Sequence, residues 1–199
     1  MMYFFSTLFM KIMGWKMNLN GLNPKNFNRA VMLAVPHTSN WDLPLARAAF
    51  YLMGIPVRFT VKKEWMKFPF NLLVGPLGGI AIDRSPRKEG EERRSMTDAM
   101  IDLFNERKEL VVLVTPEGTR SYNDRWKTGF YYVALGAKVP IALGYLDYAK
   151  KEAGVGLVFQ PTGDMEADMQ RIMDFYRDIK GKYPAKFTTD KELDKKRKQ

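Results

Sequence analysis

Short apolar runs recur along the chain, and the stretches between them carry a different period. Ala30-Val31-Met32-Leu33-Ala34-Val35 and Leu110-Val111-Val112-Leu113-Val114 are continuous apolar segments, the pattern of strands buried on both faces. Val57-Arg58-Phe59-Thr60-Val61, Gly78-Gly79-Ile80-Ala81-Ile82, Val139-Pro140-Ile141-Ala142-Leu143 and Gly156-Leu157-Val158-Phe159 are further strand candidates. Between the runs the spacing turns helical. Residues 44–53 read as a helix ended by Gly54, with Pro44 in its opening turn, where proline is tolerated. From 91 to 107, Met96, Ala99, Met100, Leu103 and Phe104 follow the i, i+3, i+4, i+7, i+8 template. Glu91 and Glu92 suit that helix's positive start, and Arg107 and Lys108 its end. Residues 127–137 form another helix, and Met165, Met169, Ile172, Met173, Tyr176 and Ile179 the seam of a last one. Methionines at this spacing belong to a core. Strands alternating with helices predict an α/β fold: a single domain with a mostly parallel central sheet flanked by helices.

No internal repeat or interior linker breaks the pattern. The expected organisation is a segment at 1–19, one domain at 20–185 and a basic, solvated tail at 186–199. Residues 1–17 are crowded with Met, Phe, Leu, Ile and Trp. As a helix they place Thr7, Lys11 and Gly14 on one stripe and apolar side chains elsewhere. At about 1.5 Å per residue such a helix reaches only about 25 Å, short of a ~30 Å hydrocarbon core. The basic start and small-residue cleavage site of a signal peptide are missing. An amphipathic helix in the membrane interface, with Trp15, Lys11 and Lys16 near the headgroups, accounts for these features; a helix packed on the core is the competing reading.

Composition narrows the chemistry. At 199 residues with 46% hydrophobic content, one domain with a substantial core is expected. There are no cysteines, which removes disulfides, thiolate nucleophiles and cysteine-bound metals. A single histidine argues against a histidine-rich metal site, and no metal is expected. The formal charge of +10 calls for an anionic partner: acidic lipid, a phosphorylated substrate or an acidic carrier protein. No nucleic-acid-binding signature is present, so nucleic acid is not an expected partner.

The lone histidine stands at the end of the first central strand, in Pro36-His37-Thr38-Ser39-Asn40-Trp41-Asp42. Histidine is readily poised to take a proton near neutral pH, and a carboxylate can hold its tautomer. On one helix, positions five apart diverge by about 140°. His37 therefore belongs in the turn before the helix, with Asp42 in its first turn. The same residues also fit a capping box, in which Asp42 only satisfies backbone N–H groups. Two more polar turns follow strands, at Asp83-Arg84-Ser85 and at Thr115-Pro116-Glu117-Gly118-Thr119-Arg120-Ser121. Ligands of open α/β sheets bind beyond the carboxyl ends of strands. Together the turns offer a base, its orienter, two arginines suited to phosphate and a Gly-Thr turn with close donors: a site for deprotonating a hydroxyl beside a bound phosphate.

These residues resemble the glycerolipid acyltransferases typified by 1-acyl-sn-glycerol-3-phosphate acyltransferase. The family's H-x4-D block matches His37 and Asp42. Its second block resembles Lys62-Lys63-Glu64 through Gly78-Gly79-Ile80-Ala81-Ile82-Asp83-Arg84. Pro116 to Ser121 carry Pro-Glu-Gly-Thr-Arg-Ser in full, and Val139-Pro140-Ile141 match the fourth block without its second proline. The blocks come in family order across residues 30–143. The resemblance implies a glycerol-3-phosphate acyltransferase-like fold with an N-terminal membrane-interface helix. It also implies a peripheral, monotopic protein on the cytoplasmic face of the cell membrane. The implied activity is transfer of a fatty acyl group to the hydroxyl of a lysophospholipid, 1-acyl-glycerol-3-phosphate first, for phospholipid biosynthesis. Acyl-CoA or acyl-carrier protein would be the co-substrate, with no cofactor. His37 would be the general base and Asp42 its orienter. Arg84, Glu117, Gly118, Thr119, Arg120 and Ser121, with Lys62, would bind the acceptor. Pro140 would shape the acyl-chain region. Thr-Ser-Asn-Trp inside the first block and the departure after Pro140 leave open another lipid acceptor, an aminolipid or glycolipid. A non-catalytic binder of anionic lipid is the further alternative.

Overall fold

The computed structural model describes residues 2–61, 66–82 and 94–196. Strand β2, Arg29–Val35, is apolar from residue 30 on, so both its faces need cover. Val31, Leu33 and Val35 turn to one side of the sheet, Ala30 and Met32 to the other, as the two-residue period of a strand dictates. Strand β5, Leu110–Val114, sends Leu110 and Val112 to the first side and Val111 to the second. Strand β6, Ile141–Asp147, repeats the split with Ile141, Leu143 and Tyr145 against Ala142 and Leu146.

Strands β1 (Lys16–Asn18), β3 (Val57–Val61), β4 (Gly79–Ala81) and β7 (Glu152–Phe159) complete a seven-stranded sheet of order β1-β7-β6-β2-β5-β3-β4. From β6 to β4 all neighbours run parallel. β7 returns antiparallel to β6, with β1 parallel to β7 at the edge. The mostly parallel single-domain α/β fold is as expected from the alternation of periods.

Helices cover both faces. On the first lie α4 (Met96–Asn105), α5 (Gly129–Ala137) and α6 (Met165–Tyr176), which bury Phe104, Tyr131 and Tyr176. On the second lie α2 (Asp42–Leu52), with Leu45, Ala49 and Phe50, and α1 (Met2–Met13), which packs on α2 and buries Met10. Each of the large apolar side chains contributes about 1.5–3 kcal/mol on burial. The short α3 (Asn71–Val74) and α7 (Lys191–Lys196) complete the set.

Several boundaries depart from the sequence reading. The first helix stops at Met13, because Gly14 takes φ +70° and Lys16–Asn18 is drawn into the sheet beside β7. Trp15, expected near lipid headgroups, is instead 7% exposed within the core. Helix α4 begins at Met96, where the Ser95 hydroxyl accepts from Asp98 N at 3.0 Å; Glu91 and Glu92 lie outside the described residues. Helix α5 begins two residues late because Lys127 N donates to Pro116 O at 2.8 Å, which keeps Lys127 in the preceding turn. Where a solvated tail was expected, buried Asp190 accepts from Trp126 N at 2.7 Å and from Glu192 N and Leu193 N at 3.0 and 3.1 Å. The last helix is thereby docked and capped.

Candidate active site

Strand β2 delivers its last residues to the carboxyl edge of the sheet, and α2 starts at Asp42. His37 thus sits in the connecting turn, and the five-residue spacing closes on itself: His37 Nδ1 lies 3.1 Å from Asp42 Oδ2. With Nδ1–H donating to the carboxylate, Nε2 carries the free lone pair. The same Oδ2 accepts from Thr38 N and Ser39 N, each at 2.9 Å, and Oδ1 accepts from the Tyr148 hydroxyl at 2.7 Å. Asp42 therefore does both jobs the sequence allowed. It caps the turn and it orients the imidazole. The His37 side chain is 24% exposed and that of Asp42 7%, so the imidazole is reachable and its partner is not.

The second turn arrives by register. Leu33 pairs with Val114 on the adjacent parallel strand, so three residues further on Pro36 and Glu117 stand at one height. Glu117, 4% exposed, accepts from His37 N at 3.0 Å through Oε1, and among the described residues its Oε2 has no hydrogen-bond partner. Burial pushes its carboxyl up to about 7, against the opposing pull of the His37 N–H. Gly118 takes φ +67°, and a Cβ there would come within 2.9 Å of the Lys127 side chain. The positive φ calls for glycine at this corner, whereas the end of the Lys127 side chain could swing aside. Thr119 Oγ1 accepts from Ser121 N at 3.1 Å. The Arg120 guanidinium donates to Asn40 Oδ1, which brings the third block onto the first.

His37, Asn40 and Arg120 stand at one cavity of about 550 Å³ whose other walls include Leu43, Ala46 and Phe50 of α2, Phe59 of β3, Met100 of α4 and Leu113 of β5. The arrangement is a polar rim with an imidazole beside an apolar hollow large enough for a small-molecule ligand. Trp41 carries Lys182 Nζ 5.2 Å from its ring, and Tyr183 N donates to Thr38 Oγ1 at 3.2 Å, so a late loop also borders the His37 turn. Among the described residues no group of three or more His, Asp or Glu side chains is arranged to hold a metal ion.

His37, Asp42, Glu117 and Arg120 are brought together. Gly118, Thr119 and Ser121 shape the neighbouring turn without lining the cavity. Lys62 and Arg84 lie outside the described residues; the strand before Arg84, β4, ends on the same edge, two strands beyond β5. Pro140 is not brought to the site. It precedes β6, where its carbonyl accepts from Val31 N at 3.0 Å, at the amino end of the parallel strands. Val31 pairs with Ile141 and Val35 with Tyr145, so Pro140 sits about 20 Å down the sheet from the level of Pro36 at ~3.3 Å per residue. Tyr148 was missed. Its one signal is the lack of any helical stretch between the runs at 139–143 and 156–159, which marks a hairpin and returns the β6–β7 turn to the edge where His37 stands.

Comparison with known proteins adds two findings. The chain is similar in structure to the crystal structure of the 1-acyl-sn-glycerophosphate (LPA) acyltransferase, PlsC, from Thermotoga maritima, with a TM-score of 0.54 and 16% sequence identity over 100% of this chain and 79% of that one. At that identity the likeness speaks for the fold. No curated protein matches the chain. The family model described as "Acyltransferase" matches residues 16–142, a span that runs across both the His37 and the Glu117 turns, and by that match the chain belongs to the acyltransferase family.

Proposed function

We propose that the protein is a membrane-surface O-acyltransferase that moves a fatty acyl group from a thioester donor, acyl-CoA or acyl-carrier protein, to the free hydroxyl of a lysophospholipid. The first acceptor is 1-acyl-glycerol 3-phosphate and the product phosphatidate. One observation carries the reading: a histidine whose Nδ1 is fixed on a buried carboxylate, at 3.1 Å, stands at the rim of an apolar cavity.

The chemistry follows from that geometry. Nε2 accepts the proton of the acceptor hydroxyl as its oxygen attacks the thioester carbonyl. Asp42 stabilises the imidazolium so formed. Collapse of the tetrahedral species breaks the C–S bond, and the imidazolium returns its proton to the departing thiolate. No protein nucleophile takes part. The Arg120 guanidinium supplies a planar fork for the acceptor phosphate, and the apolar walls take the hydrocarbon.

The N-terminal helix supports a peripheral seat on the cytoplasmic face of the cell membrane, where both thioester donors are met. Its inner face buries Met10, while Tyr3, Phe4, Phe5, Leu8 and Ile12 are exposed, Ile12 at 75%. Among the described residues no helix is long and apolar enough to cross a membrane. The charge of +10 suits an anionic lipid surface. A thiol-release assay with a panel of lyso-lipid acceptors against both donor types tests the proposal. Release of thiol matched by phosphatidate formation is expected. Thiol release only with aminolipid or glycolipid acceptors overturns the acceptor assignment.

A further inference from the structure

Asp42 is held on two sides by different parts of the chain. Its Oδ2 faces three nitrogens of its own turn, whereas its Oδ1 accepts from the hydroxyl of Tyr148, 106 residues away, at 2.7 Å. A carboxylate rotates about its last side-chain bond, so contacts to one oxygen alone leave the second free to swing and carry the first out of the imidazole plane. Tyr148 is itself clamped. Its backbone N donates to Lys180 O at 2.9 Å, and its ring meets Trp15 edge-on, at 4.9 Å between centroids and 89° between planes. Trp15 in turn donates its backbone N–H to Met10 O at 2.9 Å, in the last turn of α1, and the next residue, Lys16, donates to Lys151 O at 2.8 Å. Burial and the Asp42 contact raise the phenol well above its usual range, so its proton stays in place as a donor. The hydroxyl is spent on Asp42 and Tyr148 is not part of the cavity wall.

We propose that Tyr148 is a positioning residue that holds Asp42, and through it the tautomer of His37, and that Trp15 ties this brace to the seat of the N-terminal helix. The proposal rests on the reading of His37 as the base, and it extends the site to two residues outside the family's motif blocks.

His37 is the single histidine, so 15N-histidine labelling of the full chain yields one imidazole pattern. In the wild type this pattern should be that of the Nδ1–H tautomer. In Tyr148→Phe it should become a mixture of both tautomers, and kcat with palmitoyl-CoA and 1-oleoyl-glycerol 3-phosphate should fall roughly tenfold, the rate equivalent of one hydrogen bond, with KM within about twofold. Trp15→Leu should move the spectrum the same way, Trp15→Phe should restore it, and Trp15→Leu added to Tyr148→Phe should cost nothing more. A wild-type imidazole pattern in Tyr148→Phe overturns the brace, and additive effects of the two substitutions overturn the link to Trp15. His37→Ala separates the two ideas: full activity there sinks the base reading, whereas an inactive His37→Ala beside an unaltered Tyr148→Phe sinks only this inference.

Discussion

Replacing Glu117 with glutamine should change the pH dependence of stability as well as stability itself. The wild-type carboxyl is buried, keeps one oxygen on His37 N and leaves the other without a partner among the described residues, and burial lifts it from 4.5 to about 7. A raised carboxyl favours its neutral form in the fold, so the folded state holds its proton where the unfolded chain has released it. Stability from this group is therefore present at low pH and is lost as pH rises through about 7. Integrated between pH 5 and pH 8, the two ionisations differ by about 2.5 kcal/mol. Glutamine keeps an acceptor for His37 N and cannot ionise. It also puts an amide N–H₂ where Oε2 stood, which adds a pH-independent cost of roughly 1–3 kcal/mol. The difference in stability between Glu117→Gln and wild type should thus shift in the variant's favour by about 2.5 kcal/mol on going from pH 5 to pH 8. Urea unfolding followed by circular dichroism at both pH values measures it. Parallel behaviour of the two proteins, within about 0.5 kcal/mol, would refute the reasoning.

Other outcomes follow from the same geometry. Asp42→Asn can keep an amide oxygen on Thr38 N and Ser39 N and turn its N–H₂ to the Tyr148 hydroxyl, but it removes the charge that stabilises an imidazolium; it should lower kcat by roughly 10²–10⁴-fold, and wild-type turnover would contradict the pairing. Arg120→Ala should raise KM for a phosphorylated acceptor about tenfold while sparing an unphosphorylated one, as loss of a charge-assisted contact implies; equal effects on both would remove the guanidinium from phosphate binding. Phe4→Ser, Phe5→Ser and Ile12→Ser together alter only exposed positions. They should leave the Tm in place and cut co-sedimentation with anionic vesicles by more than about 100-fold, at roughly 1.5–3 kcal/mol per large apolar side chain. Undiminished lipid association would place the membrane contact elsewhere.

Much of the fold was legible because burial on both faces leaves a plain signature. The runs at 30–35 and 110–114 announced β2 and β5, the two strands that carry the His37 and Glu117 turns to one edge. The H-x4-D spacing was legible as geometry, since only a turn followed by a helix start brings those side chains within reach. Three residues, Lys16–Asn18, are too few to show a period, so β1 was read as the end of the first helix. Trp15 looked like an interfacial anchor because composition gives no direction. In the fold it points inward onto Tyr148. Pro140 enters the site only through the resemblance of Val139-Pro140-Ile141 to the family's fourth block, and in parallel strands the residues before a strand and those after it lie at opposite edges. Tyr148 reaches Asp42 because β6 runs parallel to β2 and ends level with the His37 turn, a tertiary pairing whose one trace in the sequence is the missing helix before residues 156–159.

The central claim is that the imidazole of His37, held by Asp42, takes the proton from the acceptor hydroxyl. Thiol release by His37→Ala, measured beside vesicle co-sedimentation of the same protein, puts it to the test. The account predicts turnover reduced by roughly 10²–10⁴-fold with lipid association unchanged. Turnover at the wild-type rate would contradict it.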